Sequence, residues 1–402
     1  MKILFALPVF TAMFFLAACQ KEQPAPTLFT RMDPGESGLD FRNEVFEDTL
    51  MNSINNLYFY DGGGVAIGDV NGDDLPDIYL TANLGENHLY LNRGGFRFED
   101  VTARAGVGGG SDGWSTGTAM ADLNGDGLLD IYVCRAHYLG KKGPNQLFIN
   151  NGDGTFSEKA ADLGLDFTGL SRQAAFLDYD RDGDLDIYLM NHSVHGKGTY
   201  GEITHIREKI DPEVGDQFFE NRDGQFVNVT EKTGIYSNVL GYGLGVGVSD
   251  FNGDGYPDLY ICNDFHEDDY LYYNNGDGTF TEGLRQSMGH TSLASMGNDI
   301  ADFNNDLLPD VMVLDMLPPD EATRKNSVTS DLYNIYNAKL GFGYYHQLRR
   351  NTLQLNRGPA YHAGPLPNGS PMAAFSEIGQ LAGVSATDWS WSTLFADLDN
   401  DG

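Results

Sequence analysis

The sequence predicts an all-β protein, a β-propeller of four-stranded antiparallel blades. Three observations support this fold class. A nine-residue acidic loop recurs five times in the 402-residue chain, strand-like apolar segments flank each copy, and a hairpin pattern follows after a variable gap. Repeats of this size with almost no helical periodicity are typical of propeller blades, since each repeat supplies one small sheet.

The acidic loops carry oxygen-bearing side chains at positions 1, 3, 5 and 9. Such oxygens on a tight turn, with a main-chain carbonyl near position 7, form a ligand set suited to Ca²⁺. We therefore expect about one Ca²⁺ for each complete loop. The expected ligands are, for loops one to five, Asp69, Asn71, Asp73, Asp77; Asp122, Asn124, Asp126, Asp130; Asp178, Asp180, Asp182, Asp186; Asp250, Asn252, Asp254, Asp258; and Asp302, Asn304, Asp306, Asp310. A sixth copy begins with Asp397, Asp399 and Asp401.

These loops differ from EF-hand loops, which need a glutamate at position 12; that position is Leu80 in loop one. Ordinary Asp/Asn/Gly turns between strands are the alternative, but a turn does not require four oxygens at a fixed spacing. We expect the metal to be structural. Position 6 is usually glycine, a residue suited to unusual backbone angles. Because Asp74 and Leu307 occupy it in loops one and five, those sites are expected to be weaker or differently bent.

Each repeat continues with a second strand directly after the loop and then a hairpin. The hairpin turn reads Asn-Gly-Asp-Gly-Thr at residues 151–155 and 275–279, a strong hairpin signal. The fourth strand is expected to carry a phenylalanine, namely Phe98, Phe156, Phe226, Phe280 and Phe375. Cys134 and Cys262 hold the same place in two non-adjacent repeats, so two buried free thiols are expected rather than a disulfide.

The N-terminus is predicted to be a targeting segment. Lys2 precedes a short apolar run, and Leu16-Ala-Ala-Cys19 resembles a bacterial lipoprotein processing site. The alternative is an ordinary secretory signal with an incidental cysteine. We predict a signal peptide at residues 1–18, a flexible tether at 19–27 and the propeller at 28–402. Lipid on Cys19 would anchor the protein in the outer membrane of a bacterial cell envelope, surface-exposed or facing the periplasm.

The formal net charge is −33, from 58 acidic and 25 basic side chains. This excess of negative charge argues against nucleic acid as a partner, because the phosphate backbone is itself negative. It equally argues against direct contact with an anionic membrane surface. Membrane contact is therefore expected through the N-terminal lipid anchor alone.

The acidic loop followed by an Asn-x-Leu-Tyr-x-Asn hairpin resembles the FG-GAP (VCBS-type) repeat, the blade of the integrin α-subunit propeller. Residues 60–69, 241–246, 263–268 and 387–391 are more closely similar to bacterial proteins that resemble cartilage acidic protein and often carry an ASPIC/UnbV domain. This resemblance covers roughly residues 28–402 and implies Ca²⁺ at each loop and no enzymatic activity. Because such propellers usually have seven blades, we expect five full blades, part of a sixth, and a C-terminally truncated fragment.

Strand order predicts which face binds a ligand. Since the acidic loops join strands one and two, the gaps between strands two and three (135–144, 191–215, 263–268 and 315–350) and the links from strand four to the next blade lie on the opposite side. We call this side the gap face and the other the loop face. Function usually resides on loops carried by a rigid scaffold. The ligand-face candidates are Trp114, Arg172, His192, His195, Tyr242, His266, His290, Trp389 and Trp391.

Aromatic and histidine-rich loops around an axis suit a glycan or the edge of an extracellular protein ligand. One alternative is that the tryptophans pack between blades. Another is that His192 and His195 hold a transition metal. We favour a non-catalytic, Ca²⁺-stabilised cell-surface binding or adhesion module. The alternative is a propeller-fold polysaccharide lyase or hydrolase. The pattern Gly-x-Ser-x-Gly occurs at residues 109–113 and 113–117, but acidic loop two follows it instead of the helix that a nucleophile elbow requires. No His-Glu-x-x-His or Gly-x-x-x-x-Gly-Lys-Ser/Thr phosphate loop is present, so no catalytic residue is assigned.

Overall fold

The computed structural model describes residues 28–138, 140–141, 143–193, 203–327 and 332–399. The predicted signal peptide and tether, with Cys19, lie outside these residues, as do His195 and Asp401. Within the described ranges the chain forms five sheets of four antiparallel strands, each in sequential order, together with two strand pairs. The structure and the repeats confirm the predicted all-β propeller architecture.

The five sheets are blades one to five. Blade one contains β1 (Val65–Gly68), β2 (Asp77–Leu80), β3 (His88–Asn92) and β4 (Phe98–Asp100). Blade two contains β5 (Trp114–Ala121), β6 (Asp130–Ala136), β7 (Gln146–Asn150) and β8 (Phe156–Glu158). Blade three contains β9 (Ser171–Leu177), β10 (Asp186–Asn191), β11 (Gln217–Arg222) and β12 (Gln225–Asn228).

Blades four and five follow the same order. Blade four contains β13 (Gly243–Ser249), β14 (Asp258–Asn263), β15 (Tyr270–Asn274) and β16 (Phe280–Glu282). Blade five contains β18 (Gly297–Ala301), β19 (Asp310–Leu314), β22 (Thr352–Pro359) and β23 (Ala373–Glu377). Two short pairs accompany it: β17 (Thr291–Ser292) is parallel to β21 (Gln347–Leu348), and β20 (Met316–Leu317) is antiparallel to β24 (Asp388–Trp389).

In every blade the acidic loop connects strands one and two, and the predicted phenylalanine lies on strand four. The predicted hairpins are present, with Asn150 opposite Phe156 and Asn274 opposite Phe280. Since neighbouring strands are antiparallel, the loops and the hairpin turns share one face. The two-to-three gaps and the four-to-one links share the other, as the strand order predicts.

The first strands lie beside one another around an axis, in the order β1, β5, β9, β13 and β18. Glycines allow this close approach, because a methyl group would collide with the next blade. A Cβ on Gly117 would lie 2.3 Å from the Arg172 carbonyl oxygen, and one on Gly297 would lie 2.7 Å from that of Trp391. The sixth repeat therefore begins beside blade five at the axis.

The core lies between blades. A tyrosine on each of the first four second strands is almost completely buried: Tyr79, Tyr132, Tyr188 and Tyr260. Each packs in one cluster with the aliphatic residue that follows the last loop aspartate of the next blade: Ile131, Ile187, Leu259 and Val311, respectively. Burial of each such side chain stabilises the fold by roughly 1.5–3 kcal/mol.

Short helices complete the structure, and the sequence pattern did not reveal them. A single helical turn follows the fourth strand of every blade: Thr102–Ala105, Ala160–Leu163, Thr230–Thr233, Leu284–Ser287 and Gly379–Ala382. The other helices of the described residues are Pro34–Ser37, Thr204–Arg207, Glu321–Ser327 and Tyr333–Gly341. None of the described helices has the length and apolar character needed to cross a bilayer. Cys134 and Cys262 are buried free thiols, which confirms that prediction.

Candidate metal loops and ligand face

The acidic loops turn their side-chain oxygens inward. In loop two, the carboxylate of Asp122 accepts hydrogen bonds from the main-chain N–H groups of Gly125 at 2.8 Å and Gly127 at 2.8 Å. The side-chain oxygen of Asn124 accepts from the N–H of Asp126 at 2.9 Å. Loops one, four and five make equivalent bonds from positions 1 and 3. These bonds hold the oxygens at positions 1 and 3 within one tight turn.

The position 9 aspartates lie at the base of the loops and are buried: Asp77, Asp130, Asp186, Asp258 and Asp310. In Asp130, Oδ2 accepts from the N–H of Leu123 at 3.1 Å and Oδ1 from the N–H of Asn150 at 2.9 Å. The pKa of this carboxyl is raised to about 6, mainly by burial and partly by the neighbouring charges of Asp126 and Asp122, although the two main-chain hydrogen bonds oppose the shift. A buried carboxylate beside other carboxylates is the environment that a bound cation would stabilise.

Loop three brings the most carboxylates together. Oxygens of Asp178, Asp180 and Asp186 lie within 4.8 Å of one another, the one such His/Cys/Asp/Glu group in the part of the chain that the structure describes. Burial raises the pKa of Asp186 to about 7, and the charges of Asp180 and Asp184 also raise it. Convergent carboxylate oxygens fit the hard-oxygen preference of Ca²⁺. Loop three is therefore the best-formed candidate metal centre.

Position 6 has a left-handed backbone whether or not it is glycine. Its φ is 86° at Gly127 and 100° at Gly183, compared with 64° at Asp74 and 68° at Leu307. Loops one and five are therefore not differently bent at this position. The side chains instead occupy a conformation that costs roughly 1–2 kcal/mol for a residue with a Cβ.

In blades two to five, an asparagine on the third strand joins neighbouring loops. In blade two the side-chain amide of Asn150 donates a 2.8 Å hydrogen bond to the carbonyl of Val70, at position 2 of loop one. Asn274 and Asn356 make the same bond to Tyr179 and Phe251. The sequence analysis identified these asparagines only as hairpin residues, since the bond exists only between packed blades.

On the gap face, four of the candidate residues meet around Tyr58. The His192 ring stacks on Tyr242 with centroids 4.6 Å apart, and Tyr242 lies 5.0 Å from the ring of Tyr58. The guanidinium of Arg172 lies 5.6 Å from the centre of the Tyr58 ring, and Trp391 approaches that ring edge-on at 6.1 Å. We call Tyr58, Arg172, His192, Tyr242 and Trp391 the axial cluster.

Tyr58, Asp61 and Asp264 also belong to this site, although they were not predicted from the sequence. The Tyr58 hydroxyl donates a hydrogen bond to the Asp264 carboxylate, and Asp61 forms an ion pair with Arg172. Asp61 and Asp264 lie in segments 60–69 and 263–268, which carry the family resemblance but gave no site residue, and Tyr58 lies just before the first of these segments. All three residues lie outside the repeated loop, and that departure from the repeat was the available signal.

The remaining candidates lie elsewhere. Trp114 is completely buried against Phe59 and Tyr138, so it packs beneath the gap face. This agrees with the alternative that the tryptophans are packing residues. His290 lies 3.1 Å from Arg350 in a separate pocket, and His266 contacts Tyr344 in another. Trp389 is exposed on β24. His195 lies outside the described residues, so its predicted pairing with His192 stays a prediction.

Comparison with known proteins agrees with the repeat architecture. The family described as FG-GAP-like repeat matches residues 69–133, 137–189 and 250–313. Cartilage acidic protein 1 of Xenopus tropicalis is 29% identical over 255 residues, covering 62% of this chain and 36% of that protein. The Homo sapiens protein of the same name is 31% identical over 190 residues, covering 40% of this chain and 28% of that protein. The chain thus spans about a third of these relatives.

Solved structures with some likeness include two binding or matrix proteins. One is an Agrocybe aegerita lectin, described for its recognition of non-reducing terminal N-acetylglucosamine, with a TM-score of 0.31, 16% identity and coverage of 77% of this chain and 78% of that chain. The other is the Vibrio cholerae biofilm matrix protein Bap1, with a TM-score of 0.34, 14% identity and coverage of 76% and 38%. The FG-GAP matches and the similarity to cartilage acidic protein 1, taken with the five blades, show that the chain is an FG-GAP repeat protein.

Proposed function

We propose that this protein is a non-catalytic binding module, stabilised by Ca²⁺ in its acidic loops, that takes a glycan or an extracellular protein ligand on its gap face. The observation that carries the proposal is the axial cluster. It gathers aromatic rings, a histidine and an arginine at the gap-face end of the propeller axis. Trp391 is 45% exposed and offers its ring to a ligand, whereas Tyr58, His192 and Tyr242 are at most 6% exposed and support it from below. An exposed aromatic ring gives a large contact area at low entropic cost.

The acidic loops would stabilise the loop face of the propeller. In each complete loop, the oxygens at positions 1, 3, 5 and 9 would hold Ca²⁺, and loop three has the donor set that fits best. Bound Ca²⁺ would neutralise carboxylates that otherwise repel one another. This stabilisation would extend to the sheet of each blade, because the position 9 aspartate begins the second strand of its blade.

Polar pairs between members of the axial cluster and adjacent residues support a positioning role for the cluster. Tyr138 is hydrogen-bonded to His192, Tyr58 to Asp264, and Arg172 is paired with Asp61. Groups held in such pairs present fixed donors and acceptors, which favours recognition through preorganisation. The Cys19 anchor would place this face outside the cytoplasmic membrane, where glycans and extracellular proteins are available.

A glycan array tests the proposal. The 402-residue chain, in Ca²⁺, is applied to immobilised neutral and acidic glycans, and hydrogen–deuterium exchange is then measured with a bound glycan. We expect protection of peptides that cover residues 56–64 and 240–244, and none at the loop-face turn 275–279. Protection confined to the loop face would overturn the assignment of ligand binding to the gap face. If no glycan binds, only the proposal of an extracellular protein ligand stands.

Two further measurements decide the remaining points. Incubation of the chain with the bound polysaccharide should release no reducing ends and no unsaturated products, because no residue is assigned as nucleophile or as acid–base pair. Such products would establish the lyase or hydrolase alternative. The protein-ligand form is tested by cross-linking the chain to extracellular matrix proteins of defined composition. Failure there, after a negative array, would refute the binding function.

A further inference from the structure

A cavity of about 260 Å³ lies at the gap-face end of the axis. Its lining comes from the starts of successive first strands, at Gly64, Thr116, Gln173 and Leu244, together with Asp61 and Trp391. Every described blade, or the segment next to it, therefore contributes to one enclosure. The volume is slightly below the roughly 300–1,000 Å³ of pockets for drug-sized ligands, which limits the occupant to one small ring.

The polar wall of the cavity is a buried ion pair. Asp61 and Arg172 have side chains that are 5% and 9% exposed, and the two are in direct contact. Asp61 Oδ1 is buried and accepts no hydrogen bond from the residues that the structure describes. A buried carboxylate oxygen without a donor is unfavourable. Because Asp61 lines the cavity, a hydroxyl group placed there would supply the missing donor.

Several other lining side chains are apolar. Met190 and Met296 are buried, Leu244 is half-buried, and Trp391 is 45% exposed. Tyr58 is only 3% exposed and lies over Arg172, which shields the ion pair from solvent. A lining that combines apolar side chains with a buried ion pair suits a ligand with an apolar face and hydroxyl-bearing edges. The Asp61–Arg172 pair is neutral as a unit, so it does not favour a charged ligand.

From these observations we infer that the cavity binds one neutral sugar residue, either a free monosaccharide or the terminal residue of a glycan. One ring hydroxyl donates to Asp61 Oδ1, oxygens of the sugar accept from the donors of Arg172 and Gln173, and the C–H face of the ring packs against Trp391 and the methionines. Charge-assisted hydrogen bonds of this kind are the stronger ones. The inference rests on the proposed function and adds its ligand class and the residues that select it.

Calorimetric titration of the 402-residue chain with a panel of neutral monosaccharides, in Ca²⁺, tests the inference. We expect at least one sugar to bind with a Kd of about 1 mM, which is roughly −4 kcal/mol. Trp391→Ala should weaken that sugar at least tenfold. Tyr361→Ala, which removes an aromatic ring that is 89% exposed on the loop-face turn of blade five, is the matched control and should stay within twofold.

Two variants report on the cavity itself. Ser392→Trp places a large side chain at the exposed rim of the cavity and should abolish sugar binding while leaving the thermal melt unchanged. Asp61→Asn keeps the shape of the side chain and should reduce affinity at least tenfold. If Asp61→Asn unfolds the protein, Ser392→Trp is the one of these two variants that tests whether the cavity binds the sugar.

The outcomes separate this inference from the proposed function. If no neutral monosaccharide binds at 50-fold above the expected Kd, the inference is wrong, although exchange protection by a larger glycan on the gap face would still support the binding module. If a sugar binds but Trp391→Ala and Ser392→Trp leave its affinity unchanged, the sugar lies elsewhere and the cavity assignment fails. If an acidic sugar binds while its neutral counterpart does not, the argument from the neutral ion pair fails.

Discussion

The side-chain amide of Asn274 donates a 2.7 Å hydrogen bond to the main-chain carbonyl of Tyr179, which is position 2 of the acidic loop in the preceding blade. The main-chain N–H of the same residue donates to Oδ1 of Asp258, position 9 of its own loop, at 2.8 Å. One asparagine thus joins two candidate metal loops. Because this pattern recurs between other blades, the loop face forms one connected layer.

Asn274→Ala should lower the free energy of unfolding by about 1–3 kcal/mol, because it leaves the buried Tyr179 carbonyl without its donor. Asn92→Ala is the matched control. Asn92 occupies the same place in blade one, but its amide bonds to the carbonyl of Pro76 in its own blade. Urea unfolding in Ca²⁺ measures both. Equal losses would show that the contact between blades contributes nothing.

Chelation should lower the melting temperature. If Ca²⁺ binds only the folded protein, its removal withdraws about 2.7 kcal/mol for each site that was at 100 times its Kd. With five complete loops at that occupancy the total is about 13 kcal/mol, so the melting temperature should fall by roughly ten degrees or more, and added Ca²⁺ should restore it. Calorimetry with and without chelator, together with metal analysis, measures this. A melt that stays unchanged after complete metal removal would refute a stabilising metal.

Asp182→Ala in loop three should destabilise the Ca²⁺-loaded protein more than Asp306→Ala in loop five. Loop three has carboxylates at all four ligand positions and a glycine at position 6, whereas loop five has Asn304 and a left-handed Leu307. More ligand charge generally raises Ca²⁺ affinity. The difference should vanish in chelator. The reverse order in Ca²⁺ would count against ligand charge as the determinant.

Gly117→Ala should destabilise the fold by about 1–3 kcal/mol, the usual range for overpacking. Its Cβ would lie 2.3 Å from the Arg172 carbonyl oxygen and 1.9 Å from Oε1 of Gln173, so the first strands of blades two and three must separate. Gly364→Ala is the control, since nothing lies within 4 Å of its Cβ, and it should change stability by less than about 0.5 kcal/mol. Comparable melts for both variants would contradict close packing at the axis.

Asp216→Asn should change the pH dependence of stability. Burial raises the pKa of Asp216 to about 7 in the folded state, although its bonds to Tyr188 and to the N–H of Asn191 oppose this. An unfolded aspartate has a pKa of about 3.9. Between these values the folded state holds the proton more tightly. The stability from this group is therefore complete below about pH 4 and is lost as the pH rises through 7, by at most about 1.4 kcal/mol per pH unit.

Asparagine is the natural replacement because Asn145 and Asn351 hold the same position in blades two and five. Their side-chain oxygens accept the equivalent main-chain N–H at 2.7 and 2.8 Å. Unfolding free energies at pH 5, 6, 7 and 8 should therefore fall less steeply for Asp216→Asn than for the wild type. Asp223→Asn, on an exposed turn, should keep the wild-type profile. Parallel profiles for Asp216→Asn and the wild type would show that this carboxyl does not titrate in the range.

Much of the fold followed from local pattern. The spacing of oxygen side chains marked each acidic loop, and the turn sequence at 151–155 marked a hairpin, because such turns depend on a few adjacent residues. Strand parity then placed the gaps on one face. The five one-turn helices after the fourth strands could not be predicted, since a single turn is too short to show a helical period.

The residues of the candidate site were harder to find. Arg172, His192, Tyr242 and Trp391 were selected as aromatic or charged residues on gap-face links, and they do meet around the axis. Trp114, chosen by the same rule, proved to be core. His266 and His290 lie in separate pockets. Sequence position on a link gives the face but not the distance from the axis, because that distance depends on how blades pack.

The sequence by itself determined the repeat, the loop ligand set and the two faces, since each depends on residue spacing within one blade. Only the tertiary structure decided that Tyr58 closes over Arg172 and that Asp61 lines a cavity with Trp391, more than 300 residues away in the chain. It also decided that Asn274 bridges two loops. These contacts join different blades, and the glycines that let neighbouring first strands approach one another at the axis set the distances between them.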